Sequence, residues 1–141
     1  MTLSPHWPGS VAAIRGLVER GVQVSIGHTG ADPAEIAGAA AAGATLCTHL
    51  GNGVSAVLAR HPNLIWEQLG DDRLTASFIA DGHHLPPATF RAMLRAKGLG
   101  RAILVSDATA LAGQPPGRYE QSIGGEVELS ADGCLSLAGT P

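Results

Sequence analysis

Four short apolar stretches of this 141-residue chain each end in a residue able to do chemistry. Ile26-Gly27-His28-Thr29 ends the first, and Cys47-Thr48-His49-Leu50 the second. Ala80-Asp81-Gly82-His83-His84 ends the third, and Val105-Ser106-Asp107-Ala108 the fourth. Imidazole and carboxylate are the usual ligands or partners of a divalent metal, and metal-assisted hydrolysis is the chemistry such a set supports. Taken alone, a His after a strand is more often a hydrogen-bonded structural residue. His28 and His49 on neighbouring strands reverse that preference. Asp107 alone suits the N-cap of a following helix equally well. Asp81 before Gly82 reads first as a turn residue, and His6 and His61 as structural. Cys47, within a strand, reads as a small buried apolar residue. Gly51, Gly53, Gly124 and Gly125 read as turn glycines. Asn52-Gly53 can also offer backbone N–H groups to an anion.

The elements that must position these residues follow from periodicity. Ser10 is placed to cap a helix carrying Val11, Ile14, Leu17 and Val18 on one face, stopping at Gly21. Val22 to Ile26 reads as a strand. Asp32-Pro33-Ala34-Glu35 has the marks of a capping box with proline at the first helical position, and its helix runs to Gly43. Ala44 to Thr48 is the next strand, and a short helical piece follows at Leu64 to Leu69. Leu74 to Ala80 is a strand, Pro86-Pro87 opens a helix ended by Gly98, and Arg101 to Ser106 is a strand. Strands starting near residues 22, 44, 74 and 101 have the spacing of successive βα units with parallel pairing. In such folds the strand C-termini share one face, where active sites are built. Beyond about residue 112 the pattern changes. Glu126 to Leu129 and Cys134 to Leu137 alternate around Asp132-Gly133, a hairpin signal. Leu135 to Pro141 reads as a strand and its turn. The expected division is 1–112 for the α/β body and 113–141 for a partial β-sandwich.

Composition narrows the function classes. Hydrophobic residues make up 45% and charged residues only 15%, below the usual quarter, as in elements buried on several sides or a piece of a larger body. A net charge of −3 gives no electrostatic reason to expect nucleic acid or an anionic membrane. No apolar run approaches the roughly 18 residues of a membrane span. The first residues lack the basic start and apolar run of a signal peptide. Two cysteines, Cys47 and Cys134, make no disulfide framework, so a cytoplasmic location is expected.

In order and spacing, Gly27-His28-Thr29, Thr48-His49-Leu50 with Asn52, Asp81-Gly82-His83-His84 and Ser106-Asp107-Ala108 together resemble the N-acetylglucosamine-6-phosphate deacetylase family of the amidohydrolase superfamily. The resemblance runs from about Thr2 to the end. It implies the second half of a (β/α)8 TIM-type barrel, strands five to eight, plus part of a small β-sandwich. It implies that His28 and His49 ligate a divalent metal, zinc first, with iron, manganese or cobalt accepted by the same donors. It implies Asp107 as the catalytic carboxylate and His84 as the histidine touching substrate near the scissile amide. Asn52, the backbone of Gly53, and Arg60 match positions that hold the sugar phosphate. The counterpart of Arg60 can cross a dimer interface, so a homodimer acting on a phosphorylated N-acetyl amino sugar is implied. After Thr-His-Leu the family has an aromatic and then Asn-Ala-Met; this chain has Gly51-Asn52-Gly53-Val54. The family's remaining protein ligand, a Glu, falls upstream of Met1 in this pattern. Two other readings are a different amidohydrolase acting on another amide or cyclic amide, and a catalytically incomplete fragment that self-associates.

Overall fold

In a computed structural model, every residue is described except Ile123, Thr140 and Pro141. The last two end the stretch read as a strand and its turn, so only that part of it lies outside the described residues. The chain divides into two compact units, Met1–Ser106 and Asp107–Pro141.

The first unit alternates strand and helix: β1 (Thr2–Leu3), α1 (Ser10–Glu19), β2 (Ser25–Ile26), α2 (Pro33–Ala41), β3 (Leu46–Cys47), α3 (Leu64–Gly70), β4 (Thr75–Ile79), α4 (Pro87–Lys97) and β5 (Ala102–Val105). The five strands form one sheet in sequential order, every pair parallel. Four strands were expected, and the structure adds β1 ahead of them. It is only two residues long and is held by backbone bonds to β2, Ser25 N–H to Met1 C=O at 2.8 Å among them. So short a segment carries no periodicity to read.

Beneath this sheet the core is apolar and tight. Ile14, Val24, Ile36, Leu74 and Phe78 have no exposed surface, and Phe78 meets Phe90 edge-on at 5.8 Å. Ile36, Ala39 and Ala40 of α2 turn inward as the 3.6-residue period requires, whereas of the face read for α1 only Ile14 is buried, Leu17 is half-buried, and Val11 and Val18 are exposed. Gly27 lets the strands approach: a Cβ there would lie 2.6 Å from Thr48 Cβ.

Helix ends follow the local chemistry. The capping box at α2 is present, with Asp32 Oδ1 accepting from Glu35 N–H and Glu35 Oε2 accepting from Asp32 N–H, both at 2.8 Å. Such a cap is worth about 1 kcal/mol. The cap expected at Ser10 is displaced. Gly9, in the left-handed region at φ 83°, holds the N-cap position, while Ser10 is the first helical residue and donates its hydroxyl to Pro5 C=O at 2.7 Å. Helix α3 ends on Lys97 of α4, whose buried ammonium donates to Gln68 C=O at 2.8 Å and Asp71 C=O at 2.7 Å. A cation on the free carbonyls at a helix C-terminus is favourable, and burial lowers the Lys97 pKa.

The second unit is a three-stranded antiparallel sheet of β6 (Gly117–Gln121), β7 (Gly125–Leu129) and β8 (Leu135–Leu137). The hairpin read around Asp132-Gly133 is β7–β8. The sequence reading missed β6, which pairs Tyr119 with Val127. Among the described residues no helix is long and apolar enough to cross a membrane.

Candidate active site at the strand ends

Strands β2, β3, β4 and β5 end at Ile26, Cys47, Ile79 and Val105. His28, His49, Asp81 and Asp107 each stand two residues beyond. Three of these positions share a rarer feature. His28 (φ 48°), His49 (φ 30°) and Asp107 (φ 51°) are the non-glycine residues with positive φ among those described. That conformation is uncommon outside glycine and gathers at functional sites, because it persists only where surrounding structure enforces it.

For His49 the enforcing contacts are visible. Ser77 of β4 accepts a hydrogen bond at Oγ from His49 N–H at 2.7 Å and donates its own proton to Cys47 C=O at 3.0 Å. Leu50 N–H reaches Ser77 C=O at 2.8 Å, and Asn52 N–H returns to His49 C=O at 2.9 Å. A single hydroxyl thus takes over the ladder where β3 leaves its regular course. Sequence reading missed Ser77, since a serine in the apolar strand LTASFIA announces nothing until its neighbour across the sheet is known.

The parallel register of Ser25 with Leu46 and Ile26 with Cys47 carries His28 and His49 to matching places. Their Nε2 atoms lie 2.9 Å apart, with ring centroids 4.6 Å apart and planes at 87°. His49 is 4% exposed while His28 is exposed. Gly53 lies against both rings: a Cβ built on it would fall 2.8 Å from His28 Nδ1 and 3.1 Å from His49 Cε1. His49 Nδ1 and Asn52 Nδ2 are buried without a hydrogen-bond partner, a costly state that points to a role beyond packing.

These residues fit an ion held between two imidazoles. Two nitrogens at 2.9 Å can both lie about 2.0–2.1 Å from one shared point, the usual zinc–nitrogen distance. Facing Nε2 atoms can share only one proton, whereas an ion accepts both lone pairs. Among the described residues no three His, Cys, Asp or Glu side chains gather into a metal cage, so the chain's own donors toward an ion are this pair.

The remaining predicted residues have other surroundings. Asp107 opens the second unit and is exposed. Arg60 is exposed, and its carbonyl accepts from Trp66 Nε1 at 3.2 Å. His84 Nδ1 meets Asp81 Oδ2 at 2.6 Å, and Asp81 Oδ1 accepts from the backbone N–H groups of His83 and His84 at 2.9 and 3.0 Å. These hydrogen bonds, that from the His84 backbone first, hold the Asp81 carboxyl down at about 2. The turn role expected for Asp81 is therefore present, with a bond to His84 that turn chemistry alone does not announce. Cys47 is buried as expected, and burial pushes its thiol up to about 12. The described contacts thus bring His28, His49 and Gly53 together, and join His84 to Asp81.

No family model matches the chain. Curated relatives do. An N-acetylglucosamine-6-phosphate deacetylase of Bacillus subtilis (strain 168) is 35% identical, over 96% of this chain and 36% of its own length. An N-acetylgalactosamine-6-phosphate deacetylase of Escherichia coli O157:H7 is 34% identical, over 96% of this chain and 37% of its own length. Among solved structures, N-acetyl-D-glucosamine-6-phosphate deacetylase from Mycobacterium smegmatis superposes with a TM-score of 0.89 at 35% identity, covering 99% of this chain and 36% of that one. A mutant of that enzyme has been solved in complex with N-acetyl-D-glucosamine-6-phosphate. The fold is thus the partial α/β barrel expected, and the chain spans about a third of the length of the relatives it matches. Over nearly all of its own length, this chain is similar to N-acetylglucosamine-6-phosphate deacetylases.

Proposed function

We propose that this chain supplies part of the active site of a metal-dependent hydrolase that removes the acetyl group from an N-acetylated amino-sugar phosphate. The observation carrying this reading is the pair of facing Nε2 atoms of His28 and His49, 2.9 Å apart at the ends of adjoining parallel strands. His28 and His49 would hold a divalent ion, zinc first among candidates. When bound, such an ion polarises the amide carbonyl and lowers the pKa of a nearby water.

The chain's own residues do the rest. The carboxylate of Asp107 accepts the proton of the attacking water and then delivers it to the amine leaving group, acting as base and then acid. His84 contacts the substrate at the scissile amide and stabilises the developing oxyanion. Asn52, the backbone of Gly53 and Arg60 hold the sugar phosphate; the buried, unpartnered Asn52 Nδ2 supports a ligand there. The exposed Arg60 is available to a second subunit's site, and sedimentation of the intact protein tests for the homodimer.

Single substitutions in the intact protein test the assignment. His28→Ala and His49→Ala are expected to abolish stoichiometric metal, measured by elemental analysis. Asp107→Asn is expected to leave metal in place while turnover falls about 10²–10⁴-fold, the usual share of a general acid–base group. Metal surviving both histidine changes, or hydrolysis surviving the aspartate change, sinks the reading. The 34% identity to a galactosamine-type deacetylase favours a second reading in which the C4 epimer is the substrate. Relative kcat/KM on the two sugar phosphates decides between them.

A further inference from the structure

Asp81 is, on the sequence alone, the least informative of the strand-end residues, and the hydrolytic scheme above gives it no task. Its surroundings give it one. One oxygen, Oδ1, accepts both backbone N–H groups of the two residues that follow Gly82, and the other, Oδ2, meets the ring of His84. Gly82 at φ 84° makes the reversal that brings His84 back over the carboxylate. Three atoms of this short loop are thereby fixed by one side chain.

The protons in this arrangement follow from elementary chemistry. A carboxylate has no hydrogen to give, and Asp81, ionised down to about pH 2, is an acceptor only. The 2.6 Å bond to Oδ2 therefore requires the hydrogen to sit on His84 Nδ1. With Nδ1–H committed to Asp81, the atom left for a ligand is Nε2, on the opposite edge of the ring. In the singly protonated ring Nε2 is an acceptor. In the doubly protonated ring it is a donor whose charge the adjacent carboxylate balances. An imidazole free of this bond distributes its proton between the two nitrogens and turns about its side-chain bonds, and either change misplaces Nε2.

We propose that Asp81 is a positioning residue for His84: it fixes the Nδ1–H form and the ring orientation, so that Nε2 is the edge presented to the substrate amide. This inference rests on the reading above that His84 touches substrate, and it deepens that reading by naming the atom. The same logic holds metal-bound histidines in place, where a carboxylate on one nitrogen settles which nitrogen faces the ion. Here it acts on a histidine read above as a substrate contact rather than as a metal ligand.

The test reads the proton directly. In the intact, metal-loaded protein, ¹⁵N side-chain spectra at alkaline pH should show His84 protonated on Nδ1. Asp81→Ala should redistribute that proton toward Nε2, and Asp81→Asn should do the same, because with its one oxygen kept on the loop N–H groups its amide NH2 faces Nδ1 and donates to it. In kinetics, Asp81→Ala should lower kcat by up to the roughly 10²-fold that loss of one oxyanion donor costs, with KM little changed. It should add nothing in a His84→Ala background, since the two act as one unit. An Nδ1–H signal indifferent to Asp81→Ala, or additive kinetic losses, overturns the proposal. Failure of the underlying reading looks different: the His84 proton follows Asp81 as described, yet His84→Ala turns over at the parent rate.

Discussion

The ends of β3 and β4 solve one problem in opposite ways. Each delivers a polar residue two positions past its strand, beside its neighbour in the same sheet. At β3 the residue is His49, buried at 4% exposure, twisted into the left-handed region and held from the next strand by Ser77. At β4 it is Asp81, exposed and bonded within its own loop, to His83 and His84. The first is anchored to the sheet, so it moves only if the core moves. The second is a self-contained turn that can shift as one piece. A metal needs ligands fixed to a few tenths of an ångström, and a substrate that enters and leaves needs a contact able to yield. The two strand ends match those two demands.

Disturbing the β3 end should be the more costly. Ser77→Ala removes the acceptor of His49 N–H and is expected to weaken metal binding about 10–100-fold, the usual range for a partner standing behind a ligand. Titration with a competing chelator measures it, and Ser77→Thr, which keeps the hydroxyl, should recover most of the loss. Unchanged affinity in Ser77→Ala would break the contrast between the two ends.

Gly53→Ala comes next. The new Cβ would press on both imidazoles from 2.8 and 3.1 Å at a residue with φ 62°. A loss of about 1–3 kcal/mol in unfolding free energy is expected, together with loosened metal. An equally stable variant would show that the loop does not bear on the histidine pair.

The smallest effect belongs to β4. Its carboxyl titrates at about 2 when folded against an ordinary 3.8. A depressed folded value means the loop's contribution is complete above about pH 3.8 and disappears as pH falls through about 2. Amide exchange at His83 and His84 should therefore rise in that window while core amides of β4 stay protected. Simultaneous loss of both would mean that this turn is not independent of the sheet.

Local sequence revealed what local chemistry decides. The Asp32–Glu35 capping box and the Pro86-Pro87 helix start are patterns of adjacent residues and formed as read, while the apolar runs of β2 to β5 formed strands in place but shorter, Ser25–Ile26 against Val22 to Ile26 and Leu46–Cys47 against Ala44 to Thr48. His28 and His49 were legible because their spacing copies the spacing of the strands beneath them. Ser77 was not, because its partners Cys47 and His49 lie 30 and 28 positions away. Ser10 misled because a buried hydroxyl found Pro5 C=O, and Gly9 could turn without a side-chain cap. The strand β6 was missed because its half-buried positions, Gly117, Tyr119 and Gln121, include no aliphatic residue to alternate with exposed Arg118 and Glu120, and its pairing with β7 is made by backbone.

The left-handed backbone at His28, His49 and Asp107 sets durability against chemistry. Glycine enters that region without the roughly 1–2 kcal/mol per residue that a Cβ costs there, and His28 and Asp107 are exposed, with little packing to lose. Selection of variants for heat resistance alone would drift toward glycine at these two places and away from the residues proposed above for metal binding and proton transfer. Any effort to harden this protein should therefore hold both positions fixed and seek its gains in the helices.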